Sequence, residues 1–138
     1  MRILGLDIGE KWIGIAMSDP SETLATPLTR IGAADAEATI EAICRLVRQH
    51  HVEAVLAGMP YSLDGSLGQQ ARRVQSFLQK LSPRLGMPIE TWDERFSTVN
   101  AQQRMIEAGK RRERRREQID AAAAALILQE YLDSKRSL

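Results

Sequence analysis

Residues 1–19 read MRILGLDIGEKWIGIAMSD, and two runs within them, 2–8 and 12–18, flank the turn-prone Gly9-Glu10-Lys11. The first run is apolar on both sides, as a central strand must be, and the short connection makes the pair a hairpin. One residue interrupts its apolar character. Alternation puts Asp7 on the face of Ile3, Gly5 and Gly9, with Arg2, Leu4, Leu6 and Ile8 on the other. A carboxylate in a central buried strand is costly unless it is paired or binds a metal. The flanking glycines clear room for a metal or phosphate to approach the strand; that they serve only a bend and the turn, with Asp7 capping something nearby, is the lesser reading because of that cost.

Residues 27–31 read as a shorter extended piece that completes a three-stranded meander, with Pro27 at its start, where a missing N–H costs least. The period then changes. Over 35–50 the apolar residues Ala36, Ile40, Ile43 and Val47 recur at helical spacing, and Asp35 is a suitable N-cap. Residues 52–59, VEAVLAGM, form a buried strand ended by Pro60 and the Asp64-Gly65 turn. A helix over 67–81 carries Ala71, Val74, Phe77, Leu78 and Leu81 on one stripe and is closed by Pro83 and Gly86. A short strand at 88–93 follows, then a helix from Ser97 or Thr98 to about Ala108, a basic segment, and a last helix over about 117–133.

This order of three strands, helix, strand, helix, strand and two helices predicts an α/β architecture. A meander followed by right-handed crossovers gives a mixed five-stranded sheet with helices on both faces and the first strand near its middle. It is the order of the RNase H-like fold. A length of 138 residues suits a single domain spanning 1–138.

Hydrophobic residues at 43% and charged residues at 27% exclude a disordered, collagenous or disulfide-scaffold chain. No apolar run approaches the roughly 18 to 20 residues of a membrane span, and the N-terminus lacks the pattern of a signal peptide. Cys44, the single cysteine, has apolar neighbours in a helical pattern and reads as a small core residue, so a reducing cytoplasm is expected. His50 and His51, adjacent at a helix end, favour the negative end of its dipole.

Two further acidic positions stand out. Asp120 shares a face of the last helix with Ala123, Ala124, Ile127 and Tyr131. An acid in an early turn favours the positive end of the helix dipole without further reason, but together with Asp7 it suggests a shared site. Asp93-Glu94-Arg95 closes the last strand, and in open sheets ligands gather at the carboxyl ends of strands. Adjacent acids there point to opposite faces, so one of Asp93 and Glu94 can face Asp7. Hydrolysis of a phosphodiester needs an activated water and a stabilised leaving oxygen, which two divalent ions roughly 4 Å apart can provide. Carboxylates suit Mg²⁺ or Mn²⁺, hard ions that prefer oxygen.

The net charge is only +1, yet KRRERRR at 110–116 concentrates six basic residues against one acid. Lys110, Arg111, Arg112, Arg114, Arg115 and Arg116 stand just before the helix of Asp120, where they could draw phosphates toward the same edge. A solvated charge run explains any one of them equally well. Lys11 in the hairpin turn and Arg95 beside Glu94 are further candidate nucleic-acid contacts. Few aromatic residues are present, which argues against a base-stacking platform.

Four segments, GLDIGEKWIGIAMSD (5–19), GMPYSLDGS (58–66), DERFST (93–98) and IDAAAAALILQEYL (119–132), resemble in order and spacing the YqgF/RuvX family. The resemblance spans essentially the whole chain. It implies an RNase H-like, metal-dependent nuclease that matures the 5′ end of the small-subunit ribosomal RNA precursor or resolves Holliday junctions. Its acidic set falls on Asp7, Glu94 and Asp120. Trp12 departs from the family, which often has a basic residue there, and puts a phosphate contact at that position in doubt. Nucleic acid, as precursor ribosomal RNA or branched DNA, and ribosomal particles are the partners implied, for a chain acting as a monomer or a homodimer.

Two alternatives compete. A glycine-flanked aspartate in a first hairpin also resembles the phosphate-binding segment of actin-like ATPases and sugar kinases, but those enclose the nucleotide with a second related domain, and no repeat is present here. A nucleic-acid-binding or regulatory protein could keep the fold with little catalysis.

Overall fold

A computed structural model describes residues 1–96 and 116–136. The strands are β1 (Ile3–Ile8), β2 (Trp12–Ser18), β3 (Ala25–Gly32), β4 (Ala54–Met59) and β5 (Ile89–Asp93), and the helices α1 (Ala36–Gln49), α2 (Gln69–Leu85) and α3 (Arg116–Arg136), with a 3-10 turn at Glu94–Phe96. One sheet holds all five strands in the order β3-β2-β1-β4-β5. β1 is central, antiparallel to β2 and parallel to β4, which in turn pairs parallel with β5. The expected mixed RNase H-like sheet is present, with helices on both faces. The helix expected at about 97–108 lies outside the described residues. Among the described residues no helix is long and apolar enough to cross a membrane.

The two faces differ in the size of their side chains. Leu4, Leu6 and Ile8 of β1 join Ile13, Ile15, Val55, Ala57 and Met59 in a core covered by Ile40, Ile43 and Val47 of α1 and Ala71, Val74 and Leu81 of α2. Asp35 caps α1 through its carboxylate, which accepts the Glu37 and Ala38 N–H groups at 3.0 and 3.3 Å. Cys44 is buried within this core.

On the other face α3 lies over β1, β2 and β3. Ala124, Ala125, Ile127, Leu128 and Leu132 pack there against Ile3, Ala16, Ala54 and Leu56. The contact is close because the sheet presents little to the helix. A Cβ on Gly14 would stand 2.0 Å from the Asp120 carbonyl oxygen, and one on Gly5 would stand 3.1 Å from the Leu128 Cβ. Gly5 therefore makes room for a helix, not for a metal or phosphate as the sequence alone allowed. Gly9 serves the turn, its N–H donating to the Trp12 carbonyl at 3.0 Å. The alanine run is likewise more than a good helix former, since Ala121, Ala124 and Ala125 are buried against the sheet.

Two boundaries differ from expectation for local reasons. Pro27 falls inside β3 rather than at its start; β3 is an edge strand, and its register with β2 shifts between Ile15 and Ala16, beside Pro27. An edge strand with an irregularity tolerates the missing donor. α2 continues past Pro83 to Leu85, and Gly86, with φ 68°, ends it in the left-handed conformation. One hydrogen bond lost in the last turn does not stop a helix whose apolar stripe is already buried.

Replacing Gly14 by alanine is expected to cost at least about 2 kcal/mol in urea unfolding, because α3 must lift off the sheet to admit the methyl group. Gly32→Ala, where a Cβ would meet nothing within 4 Å, serves as the neutral control. Equal stabilities of the two variants would contradict the close helix contact.

Candidate active site

Asp7 is the penultimate residue of β1, paired across the hairpin with Gly14. α3 crosses that pair with the Asp120 carbonyl over Gly14, which brings the first turns of the helix to Asp7. Because β1, β4 and β5 run parallel, their carboxyl ends share one edge of the sheet, so Asp7 and the residues just beyond β5 lie at the same end. Gln70 of α2 holds this end, its Nε2 donating to the Ile8 carbonyl at 3.1 Å.

Glu90, Trp92 and Glu94 all meet the α3 side. The Tyr131 hydroxyl donates to Glu90 at 2.6 Å, the Trp92 indole N–H donates to Glu130 at 3.4 Å, and the Glu94 carboxyl stands over Gly58 beside Ile127. A Cβ on Gly58 would be 3.0 Å from the Glu94 carboxyl carbon, so this glycine too makes room, here for an acid. Asp93 turns elsewhere. It accepts the Arg95 Nε–H at 2.9 and 3.0 Å, and the guanidinium holds its carboxyl below the ordinary range. Of the two adjacent acids, Glu94 is the one near Asp7.

Burial dominates the electrostatics. It pushes Asp7 up from 3.8 to about 6, with the Asp120 charge adding to the effect. Glu94 is pushed up from 4.5 to about 7, first by burial and then by the charges of Asp7, Asp93 and Glu130. Asp7 thus interacts with both other acids. Asp120 has a partner of opposite sign: Arg30 Nη1 donates to its Oδ2 at 3.1 Å. Among the described residues no three acid, cysteine or histidine side chains are grouped closely enough to hold one ion. The donor set is nonetheless chemically suited to a hard divalent cation, since it consists of oxygen ligands of like charge, the Asp120 charge adding to the rise at Asp7 and the Asp7 charge to that at Glu94.

The remaining candidates fall apart in space or outside view. Lys11 is exposed in the β1–β2 turn, where its carbonyl accepts the Ala33 N–H at 2.9 Å. Arg95 is engaged with Asp93, and its Nη1 also donates to the Leu63 carbonyl at 3.4 Å. Lys110, Arg111, Arg112, Arg114 and Arg115 lie outside the described residues; Arg116 opens α3. Arg30 was not singled out from sequence. Its only sequence signal is a cation in an otherwise uncharged strand, and its place opposite Gly14 depends on the β2–β3 register.

A five-stranded mixed sheet with this order, clamped by a helix that brings an aspartate to the central strand, defines the RNase H-like fold. Thermus thermophilus RuvC in complex with a Holliday junction substrate matches with a TM-score of 0.61 over 99% of this chain and 96% of that one, at 14% identity. The fowlpox virus resolvase in complex with its substrate junction gives 0.62 over 98% and 99%, at 12% identity. A family model described as RuvX, Holliday junction resolvase, matches residues 1–134, and the chain belongs to this family. Relatives from Roseiflexus sp. (strain RS-1) and Pelotomaculum thermopropionicum, each named "Putative pre-16S rRNA nuclease", are 43% and 46% identical over 135 and 136 residues. Each alignment covers 98% of this chain, with 96% and 88% of those relatives.

Raised carboxyls make a signed prediction. Asp7 and Glu94 bind protons more tightly folded than unfolded, so between about pH 4 and 7 stability falls as pH rises, by on the order of a few kcal/mol. The carboxyls that are lowered, such as Asp19 at about 2, act below that window. Without divalent ions, the urea midpoint is expected to be higher at pH 5 than at pH 8. Asp7→Asn combined with Glu94→Gln should flatten the difference and raise the pH 8 midpoint; a wild-type midpoint climbing from pH 5 to 8 would refute the burial of these acids.

Proposed function

We propose that this chain is a divalent-metal-dependent nuclease of the cytoplasm that hydrolyses phosphodiester bonds in structured nucleic acid, maturing the 5′ end of precursor 16S ribosomal RNA, with Asp7, Glu94 and Asp120 as its acidic set. The observation that carries it is the meeting of two partly buried carboxyls, Asp7 and Glu94, at the carboxyl edge of the parallel strands. Structural acids are normally paired; these two are set against each other, an arrangement that a cation relieves.

Asp7 from the sheet and Glu94 from beyond β5 would hold Mg²⁺ or Mn²⁺, with Asp120 reaching in from α3. When bound, such an ion supplies an activated water and neutralises charge on the phosphate. The chain's residues orient the rest. β1 fixes Asp7 by its hydrogen-bonded register, Gly58 gives Glu94 its space, and the buried flank of α3 keeps bulk water from one side of the pair. The basic residues 110–116, Lys11 and Arg95 are the proposed contacts to the nucleic-acid backbone, neutralising phosphates without reading sequence.

The relatives' name favours the ribosomal precursor, within which ribosomal particles are further partners. The description of the family model favours a second reading, a four-way DNA junction, whose two coordinated cuts suit a symmetric dimer where the RNA suits a monomer. Incubated with Mg²⁺ or Mn²⁺, the purified chain is expected to cut a precursor 16S leader in preference to a four-way junction. Asp7→Asn should lose at least about 100-fold in rate. The reverse preference selects the junction. Binding without cleavage selects a non-catalytic role, and undiminished cleavage by Asp7→Asn removes that residue from the site.

A further inference from the structure

Arg30 has an unusual set of contacts for a side chain that is only 14% exposed. Its Nη1 donates to Asp120, and its guanidinium carbon lies 3.7 Å from the centre of the Trp12 ring. Its Nε is buried with no hydrogen-bond partner among the described residues. An unpaired buried donor is costly, so the guanidinium is not held here by a full complement of hydrogen bonds. Stacking on Trp12 and the charge of Asp120 are what hold it.

Asp120 is therefore under two opposed influences, repelled by the Asp7 charge and attracted by Arg30. A divalent ion between Asp7 and Glu94 would outweigh both, turning the net pull on Asp120 inward and away from the guanidinium. This accounts for three acids that gather at one end of the sheet yet are not grouped around a common point. We propose that Arg30 is a positioning residue that competes with the divalent ion for the Asp120 carboxylate: it is the counter-ion of Asp120 in the metal-free chain, and Asp120 leaves it to complete the metal site. Trp12 fixes the guanidinium, so that the carboxylate moves and the arginine stays. The inference rests on Asp7 and Glu94 holding the ion.

Calorimetric titration of the full chain with Mn²⁺, without nucleic acid, tests it. Arg30→Met is expected to bind Mn²⁺ roughly fivefold more tightly than wild type, the size of effect that a half-buried ion pair commands. Arg30→Lys, which keeps the charge, should stay within about twofold of wild type, and in an Asp120→Asn background Arg30→Met should lose most of its gain. Asp120 is partly exposed and can hydrate once unpaired, so Arg30→Met is expected to fold; Arg30→Gln carries the same expectation if it does not. Wild-type binding with no tightening in either neutral variant overturns the competition, as does a gain that persists undiminished with Asp120→Asn. Absence of Mn²⁺ binding by wild type and both neutral variants overturns the metal site itself, and the competition with it.

Discussion

Helix α3 lies on β1 and β2 at a distance that only glycine allows. With a Cβ on Gly14 the Asp120 carbonyl oxygen would be at 2.0 Å, so the helix and the hairpin are in backbone contact where Asp7 pairs with Gly14. Leu128 and Leu132 are buried in that interface, each contributing about 1.5–3 kcal/mol of apolar burial. This packing overrides the repulsion between Asp7 and Asp120. The approach of the two acids is thus a consequence of how the helix seats, and any substitution that lifts α3 also disperses the charges.

The sheet divides the work between its faces. Large aliphatic side chains fill the side of α1 and α2, where Leu4, Leu6, Ile13 and Ile15 are almost wholly inaccessible. The α3 side carries Gly5, Gly14, Ala16 and Gly58, with Asp7 and Glu94 among them. Small residues there have two roles: they let a helix come close, and at Gly58 they let a carboxyl group settle over the strand. Parallel pairing of β1, β4 and β5 adds direction, because three strand ends emerge at one edge and acids at those ends are neighbours without being close in sequence.

Much of this was legible in the order of residues. Alternation in residues 2–8 separated Asp7 from the leucines, helical periodicity located α1 and α2, the alanine-rich run marked α3, and the succession of elements implied the mixed sheet with β1 in the middle. What could not be read depends on contacts across elements. Gly5 looked like clearance for a ligand until a helix occupied the space. Alternation leaves open which of Asp93 and Glu94 faces Asp7, and only the position of α3, met by Glu90 and Trp92 on the side of Glu94, decides it. Arg30 was invisible because its place opposite Gly14 follows from a register that shifts at Pro27. Such shifts arise from one extra residue in a strand, which local composition does not mark.

A site of partly buried acids whose carboxyls are pushed up by desolvation and neighbouring negative charge does not stabilise a fold. Neutral side chains at Asp7 and Glu94 would fill similar volumes without the desolvation that pushes these carboxyls toward neutrality. Within the described contacts their negative charge is offset only at the margin, where Arg30 reaches Asp120 but leaves the inner pair unmatched. On the proposed metal-binding reading, a cation arriving from solution would find oxygen ligands already partly desolvated and set against one another, so that relief of their repulsion would contribute to its binding.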